Sequence, residues 1–382
     1  LRLKFNLKKK AGKLSVVSKF PEETIGMVEI PELHLESGRV LKKVRQAYAV
    51  YGSLDARGVV LVCHALTGSH HVAGPDVPGL PEAWWDPLVG PGKAIDTERF
   101  CVLCFNVLGS PYGSTSPLSP CDDDGRPYGM RFPVFSVRDM VKAQHEALKI
   151  IGIEKLECVI GGSLGGMQAL EWAVMFPEAV KRSVVIAAPA FTYPQAIAFN
   201  EVQRQAIMAD PQWRGGDYYD SAPPERGLAI ARMLAMITYR SEETFVKRYM
   251  RELAFGAPWD WDGKFKIETY IHHHGEKLVQ RFDANCYLYL TRAMDLHDIG
   301  EGRGGVKKAL SMIGGQLLAV GISSDLLFPN WQVEGIVSEA REAGAEAFYD
   351  EIESDNGHDA FLIDLDQLDD ILRGFWKRTM LY

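Results

Sequence analysis

The sequence predicts an α/β fold in which a mostly parallel central sheet carries helices on both faces and a long helical insertion. Three observations carry that expectation. Short β-branched runs recur that are apolar at nearly every position, as in Val59-Val60-Leu61-Val62-Cys63 and Ser183-Val184-Val185-Ile186-Ala187. Strands apolar on both sides must be covered on both sides, which is the condition of a parallel sheet. Segments with apolar residues at helical spacing lie between these runs. One run also passes through a glycine-rich turn straight into a helix.

Taken in order, residues 27–35 and 40–51 alternate in polarity and flank Glu36-Ser37-Gly38-Arg39, the pattern of an antiparallel hairpin at a sheet edge. Parallel strands are expected at 59–63, 101–107, 156–160, 183–187 and 317–320, then a last strand at 346–352 and a closing helix over 365–382. Between 190 and 310 the alternation stops: Leu228, Ala231, Ala235 and Ile237 keep helical spacing, and no strand is expected. The expected division is therefore a tail over 1–25, a core built from 26–189 and 311–382, and a helical lid over 190–310. The proline, glycine and aspartate-rich stretch 109–132 reads as a long loop, a feature that is usually functional in a compact domain.

With 382 residues, 47% hydrophobic and 24% charged, the chain has ample material for a soluble core. A formal net charge of -8 leaves no basic footprint for nucleic acid, and Lys8-Lys9-Lys10 reads as a solvated tail. No apolar run reaches the roughly 18 residues of a membrane-spanning helix, and the first residues lack a signal peptide's apolar stretch. A cytoplasmic protein without a membrane partner is expected. Six scattered cysteines suit a reducing compartment. Cys101 and Cys104 have C-x-x-C spacing but point to opposite faces of a strand, and His272-His273-His274 fan out around a helix axis. Neither predicts a redox or metal site, so no metal is expected.

Gly161-Gly162-Ser163-Leu164-Gly165-Gly166 is the turn between strand and helix, and it has the G-x-S-x-G spacing of a nucleophile elbow. Such a turn strains the serine backbone, and the flanking glycines remove the side chains that would collide. Ser163 is thereby lifted above the sheet, at a helix N-terminus whose dipole favours developing negative charge. A serine hydroxyl needs a histidine base, itself oriented by a carboxylate, and in this architecture the order is serine, acid, histidine. Asp325 follows the 317–320 strand and His358 follows the 346–352 strand, each at a carboxyl end where open α/β sheets build their sites. Asp355 is the runner-up acid, too near His358 in sequence to approach it from another strand. The oxyanion hole requires the amide of the residue after the nucleophile, Leu164, and one from the loop His64-Ala65-Leu66-Thr67-Gly68, for which Leu66 is the choice. His64 leads that loop and is read as a structural hydrogen-bonding residue.

Beyond the elbow, the chain resembles the homoserine O-acyltransferases of the α/β-hydrolase superfamily from about residue 28 onward. The resemblance rests on the 64–68 loop, Gly90-Pro91-Gly92-Lys93-Ala94-Ile95-Asp96, the stretch from Gly162 to Trp172, Arg281-Phe282-Asp283-Ala284-Asn285 and Gly357-His358-Asp359-Ala360-Phe361-Leu362. It implies a ping-pong reaction in which Ser163 takes an acyl group from acetyl-CoA, the co-substrate, and passes it to the side-chain hydroxyl of L-homoserine in methionine synthesis. No permanently bound cofactor is implied, and a homodimer is. By the same analogy Arg204 holds the substrate carboxylate and Asp359 its ammonium; a guanidinium suits a carboxylate bidentately. Ser110-Pro111-Tyr112 stands where many bacterial members have Gly-Cys-Lys and is similar to fungal relatives, including cephalosporin acetyltransferases. Leu164 replaces a frequent methionine. The donor thus stays open between acetyl- and succinyl-CoA, and the acceptor between homoserine, serine, deacetylcephalosporin C and, in an esterase, water.

Overall fold

Val60 and Val62 pack on one side of their strand and Leu61 and Cys63 on the other, in two separate hydrophobic clusters. That period of two, with both sides buried, is what places helices above and below the sheet. The computed structural model describes residues 24–53, 56–121 and 124–380. Its central sheet has eight strands: β1 (Thr24–His34), β2 (Val40–Tyr51), β3 (Val59–Cys63), β4 (Cys101–Phe105), β5 (Cys158–Gly162), β6 (Arg182–Ile186), β7 (Gln316–Ile322) and β8 (Ala347–Ile352). They lie in the order β1-β2-β4-β3-β5-β6-β7-β8. β1 and β2 form the antiparallel edge hairpin, β2 is antiparallel to β4, and every later pairing is parallel.

One face is covered by α1 (Val137–Ile151), α2 (Leu164–Met175) and, later in the chain, α9 (Asn330–Glu342), which share a cluster with Leu61, Leu103, Val159 and Ala319. Leu368, Leu372 and Phe375 of the closing helix α10 (Leu365–Thr379) cover the other face. α1 starts on a capping box in which Ser136 and Asp139 satisfy each other's backbone amides. Cys101 and Cys104 lie in different clusters, as strand alternation requires.

The expected strand at 156–160 is displaced: β5 starts at Cys158 and continues through Gly161 and Gly162, which pair with Val185 and Ile186. Glycine is a poor strand former, but here a Cβ on Gly161 would meet the Gly165 and Cys63 backbone and one on Gly162 the Phe361 ring. The strand expected to reach residue 107 stops at Phe105. The expected tail over 1–25 lies outside the described residues except for its last two positions, which belong to β1.

Between β6 and β7 run α3 (Pro194–Met208), α4 (Glu225–Tyr239), α5 (Glu242–Tyr249), α6 (Lys266–Val279), α7 (Ala284–Asp295) and α8 (Val306–Leu310). The expectation of no strand here is corrected by a small antiparallel hairpin, Leu253–Phe255 with Lys264–Phe265. Runs this short show no period in a stretch punctuated by proline, aspartate and glycine. Among the described residues no helix is long and apolar enough to cross a membrane.

Candidate active site

Ser163 sits between β5 and α2 with φ 58° and ψ -124°, a left-handed backbone conformation that a non-glycine residue rarely adopts. The glycines around it make that possible. A Cβ on Gly165 would lie 2.0 Å from the Cys63 carbonyl oxygen, and one on Gly161 would lie 2.5 Å from the Gly165 carbonyl. The Ser163 N–H donates to the Ile186 carbonyl at 2.9 Å, which ties the strained residue to β6.

Three side chains expected to converge do so in one hydrogen-bonded chain. His358 Nε2 lies 2.8 Å from Ser163 Oγ, and His358 Nδ1 lies 2.6 Å from Asp325 Oδ2. Asp325 accepts a hydrogen bond from Nδ1–H, which leaves Nε2 free to accept from the serine hydroxyl. The other carboxylate oxygen accepts from the Leu327 and Phe328 amides at 2.8 and 2.9 Å, so the acid is itself held. All three residues are buried. Burial works against the imidazolium, but the charge and hydrogen bond of Asp325, with a further contribution from Asp359, outweigh it and raise the His358 pKa. Asp355, the runner-up acid, is turned to the lid: its carbonyl accepts from Ser241 and Thr244, and its carboxylate pairs with Lys247.

The Leu66 and Leu164 amides find no protein acceptor among the described residues, the condition for oxyanion donors. His64 is fully buried, and burial lowers its pKa to about 4, so the ring is neutral. Its Nε2 accepts from the Val107 N–H at 3.0 Å. Tyr112, from the divergent 110–112 segment, accepts from Arg281 Nη1 at 2.6 Å, and the same nitrogen donates to the Thr67 carbonyl at 2.8 Å. That departure from the bacterial pattern thus braces the loop that carries Leu66.

The lid supplies the roof. Tyr239, at the end of α4, packs against the His358 ring at 5.7 Å between centroids, and Phe328 and Phe361 flank it at 5.3 and 5.7 Å. Arg204, the expected partner of the substrate carboxylate, is paired with protein carboxylates. Its guanidinium pairs through Nη2 with Asp295 at 2.7 Å and Glu201 at 2.9 Å, while its buried Nη1 has no hydrogen-bond partner among the described residues. Arg232 was not singled out by the sequence, yet it lies over the Tyr239 ring at 5.3 Å, and its buried Nε has no partner among the described residues. Its one sequence signal is position: seven residues before Tyr239, it lies on the same helical face. Asp359 lies next to the base and pairs with Arg240 at 3.4 Å. Arg240 also has buried nitrogens without hydrogen-bond partners among the described residues. Among the described residues no group of histidine, cysteine and carboxylate side chains is arranged to hold a metal.

A mostly parallel sheet with the strand order described, a serine on a strained strand-to-helix turn and a helical roof define a serine-centred enzyme of the α/β-hydrolase class. The profile of the alpha/beta hydrolase fold family matches residues 58–365. The chain is 51% identical to the homoserine O-acetyltransferase of Symbiobacterium thermophilum, over 91% of this chain and 93% of that protein. Among solved structures, a homoserine O-acetyltransferase from Bacillus anthracis superposes with a TM-score of 0.88 at 30% identity, covering 95% of this chain and 100% of that one. Esterase E22 superposes with a TM-score of 0.85 at 29% identity, covering 92% and 99%. The chain belongs to the homoserine O-acetyltransferase family of α/β-hydrolase-fold enzymes.

Proposed function

We propose that this chain transfers an acetyl group from acetyl-CoA to the side-chain hydroxyl of L-homoserine through an acetyl-serine intermediate. The observation that carries the reading is the 2.8 Å contact between His358 Nε2 and Ser163 Oγ, backed by Asp325 and covered by the lid. Ser163 Oγ attacks the thioester carbonyl while His358 takes its proton. The tetrahedral oxyanion is held by the Leu66 and Leu164 amides. Collapse expels the CoA thiolate, which leaves with the proton from His358. Homoserine then gives its hydroxyl proton to His358 and attacks the acetyl-serine, and collapse of the second tetrahedral species returns the proton to Ser163. Arg232 is the group we assign to the acceptor carboxylate, in place of Arg204, and Asp359 to its ammonium. One cation and one anion at fixed separation is what a zwitterion requires.

The same triad would hydrolyse acetyl-CoA if water reached it, and the likeness to an esterase makes this the second reading. An occluded site favours the transferase. Homoserine should sharply accelerate release of CoA from acetyl-CoA; release at the same rate without any amino acid would instead establish hydrolysis. Running succinyl-CoA in parallel, with homoserine, serine and deacetylcephalosporin C as acceptors, decides donor and acceptor. Ser163→Ala should leave only residual turnover, since loss of a triad nucleophile costs about a millionfold in a serine protease.

A cytoplasmic location is supported by six cysteines that are all buried and form no disulfide with one another. A homodimer is supported by the lid hairpin, where Trp259 and Trp261 are each 96% exposed and Phe255 is 56% exposed.

A further inference from the structure

We propose that His64 is a positioning residue for the oxyanion hole, orienting the Leu66 N–H through the other end of its own peptide group. The inference rests on the acetyl-serine reading above and deepens it. Because the Val107 amide donates to His64 Nε2, the ring proton is on Nδ1, and Nδ1 lies 2.8 Å from the Ala65 carbonyl oxygen. The Gly68 N–H donates to that same oxygen at 3.0 Å. The Ala65 carbonyl and the Leu66 N–H belong to one planar peptide, and no peptide among the described residues is cis. In a trans peptide the two bonds point in opposite directions, so fixing the carbonyl with two donors fixes the direction of the N–H. The glycine at position 68 lets the turn pack closely, since a Cβ there would lie 3.2 Å from the His64 side chain.

The clip is tied to the elbow as well. Gln168, fully buried on α2, donates from its amide nitrogen to the His64 carbonyl at 3.2 Å and to the Leu164 carbonyl at 3.1 Å. Its oxygen accepts from Gln144 at 2.7 Å, and the Gln144 oxygen accepts from the Trp172 indole at 2.8 Å. The loop and the helix start that carry the two candidate donor amides are therefore tied to one buried network, and the close approach of Gly165 to the Cys63 carbonyl keeps the 63–64 junction against the helix start. Preorganised donors of this kind need no rearrangement when charge develops on the reacting oxygen.

The test compares His64→Ala, His64→Asn and His64→Gln in the full chain. The asparagine amide can restore a donor to the Ala65 carbonyl; the glutamine amide instead restores an acceptor for Val107. His64→Ala is expected to lower the rate of Ser163 acetylation, and kcat for transfer, by up to about 10²- to 10³-fold, the cost of one oxyanion donor. KM for homoserine should be unchanged. Affinity for an alkylboronic acid, whose tetrahedral adduct with Ser163 mimics the oxyanion, should fall in step with kcat. His64→Asn should recover more of both than His64→Gln. If the alanine variant fails to fold, the order of the two amide variants decides. Equal activity in those two, an alanine variant with wild-type kcat, or boronate affinity unchanged while kcat falls would each overturn the proposal. Failure of the underlying reading looks different, because the wild type itself would then not be acetylated at Ser163.

Discussion

Asp359 Oδ2 lies 3.4 Å from Arg240 Nη2 and one residue from His358, so a single carboxylate joins the end of α4 to the loop that carries the imidazole. It contributes to raising the His358 pKa, after Asp325 and against burial. A general base must be neutral, so activity falls as pH drops through that pKa. Asp359→Asn removes a raising charge and should move the acid limb of the profile to lower pH. Acetylation of Ser163 measured without an acceptor isolates this effect from binding. An acid limb that stays in place, or moves upward, contradicts the assignment.

Arg232 and Arg204 should separate cleanly. Arg232→Leu is expected to raise KM for homoserine by about 10- to 100-fold, the worth of a charge-assisted hydrogen bond, while Ser163 still acetylates normally. Arg204→Leu strips Asp295, whose side chain is 2% exposed, of its cation and should destabilise the fold by about 3 kcal/mol. Denaturant titration of both variants beside steady-state kinetics reads the contrast. A KM effect confined to Arg204→Leu would restore the residue to the binding site.

Gly165→Ala places a methyl carbon 2.0 Å from the Cys63 carbonyl oxygen, a distance no rotamer relieves. The elbow must then open. Mass spectrometry after incubation with acetyl-CoA should find no acetylated Ser163, and Tm should fall. Normal acetylation of this variant would mean that the elbow tolerates a different backbone path.

Trp259 and Trp261 give the dimer its test. An aromatic side chain of this size buries about 150–250 Å² at an interface, so replacing both with serine removes a large share of a small contact. Sedimentation velocity should show a dimer for the wild type and a monomer for the double variant. A monomeric wild type would leave the exposed hairpin without this role.

The hydrogen-bonded chain of Ser163, His358 and Asp325 was legible before any coordinates, because each residue sits at the carboxyl end of a strand whose apolar run is visible in the sequence. Arg204 and Arg232 show where such reading fails. Both are arginines on lid helices, and nothing in their neighbours distinguishes them. Asp295, which pairs with Arg204, comes from a different helix, so only packing of α7 against α3 reveals that this cation is already paired. The lid hairpin escaped for a different reason, since strands of three and two residues are too short for alternation to register.

What the sequence by itself determined is local or periodic: the strands apolar on both faces, the strained turn that Gly161 and Gly165 permit, and the placing of Ser163, Asp325 and His358 at strand ends in that order. Those signals are written in adjacent residues, where backbone sterics and burial act over a few positions. Tertiary structure alone decided that Arg204 is paired with Asp295 while Arg232 lies over the Tyr239 ring, that Asp355 pairs with Lys247, and that His64 holds the Ala65 carbonyl through a ring fixed by Val107. Each of these depends on charges or hydrogen-bond partners brought together from distant segments, and pairing of that kind leaves no period in the chain.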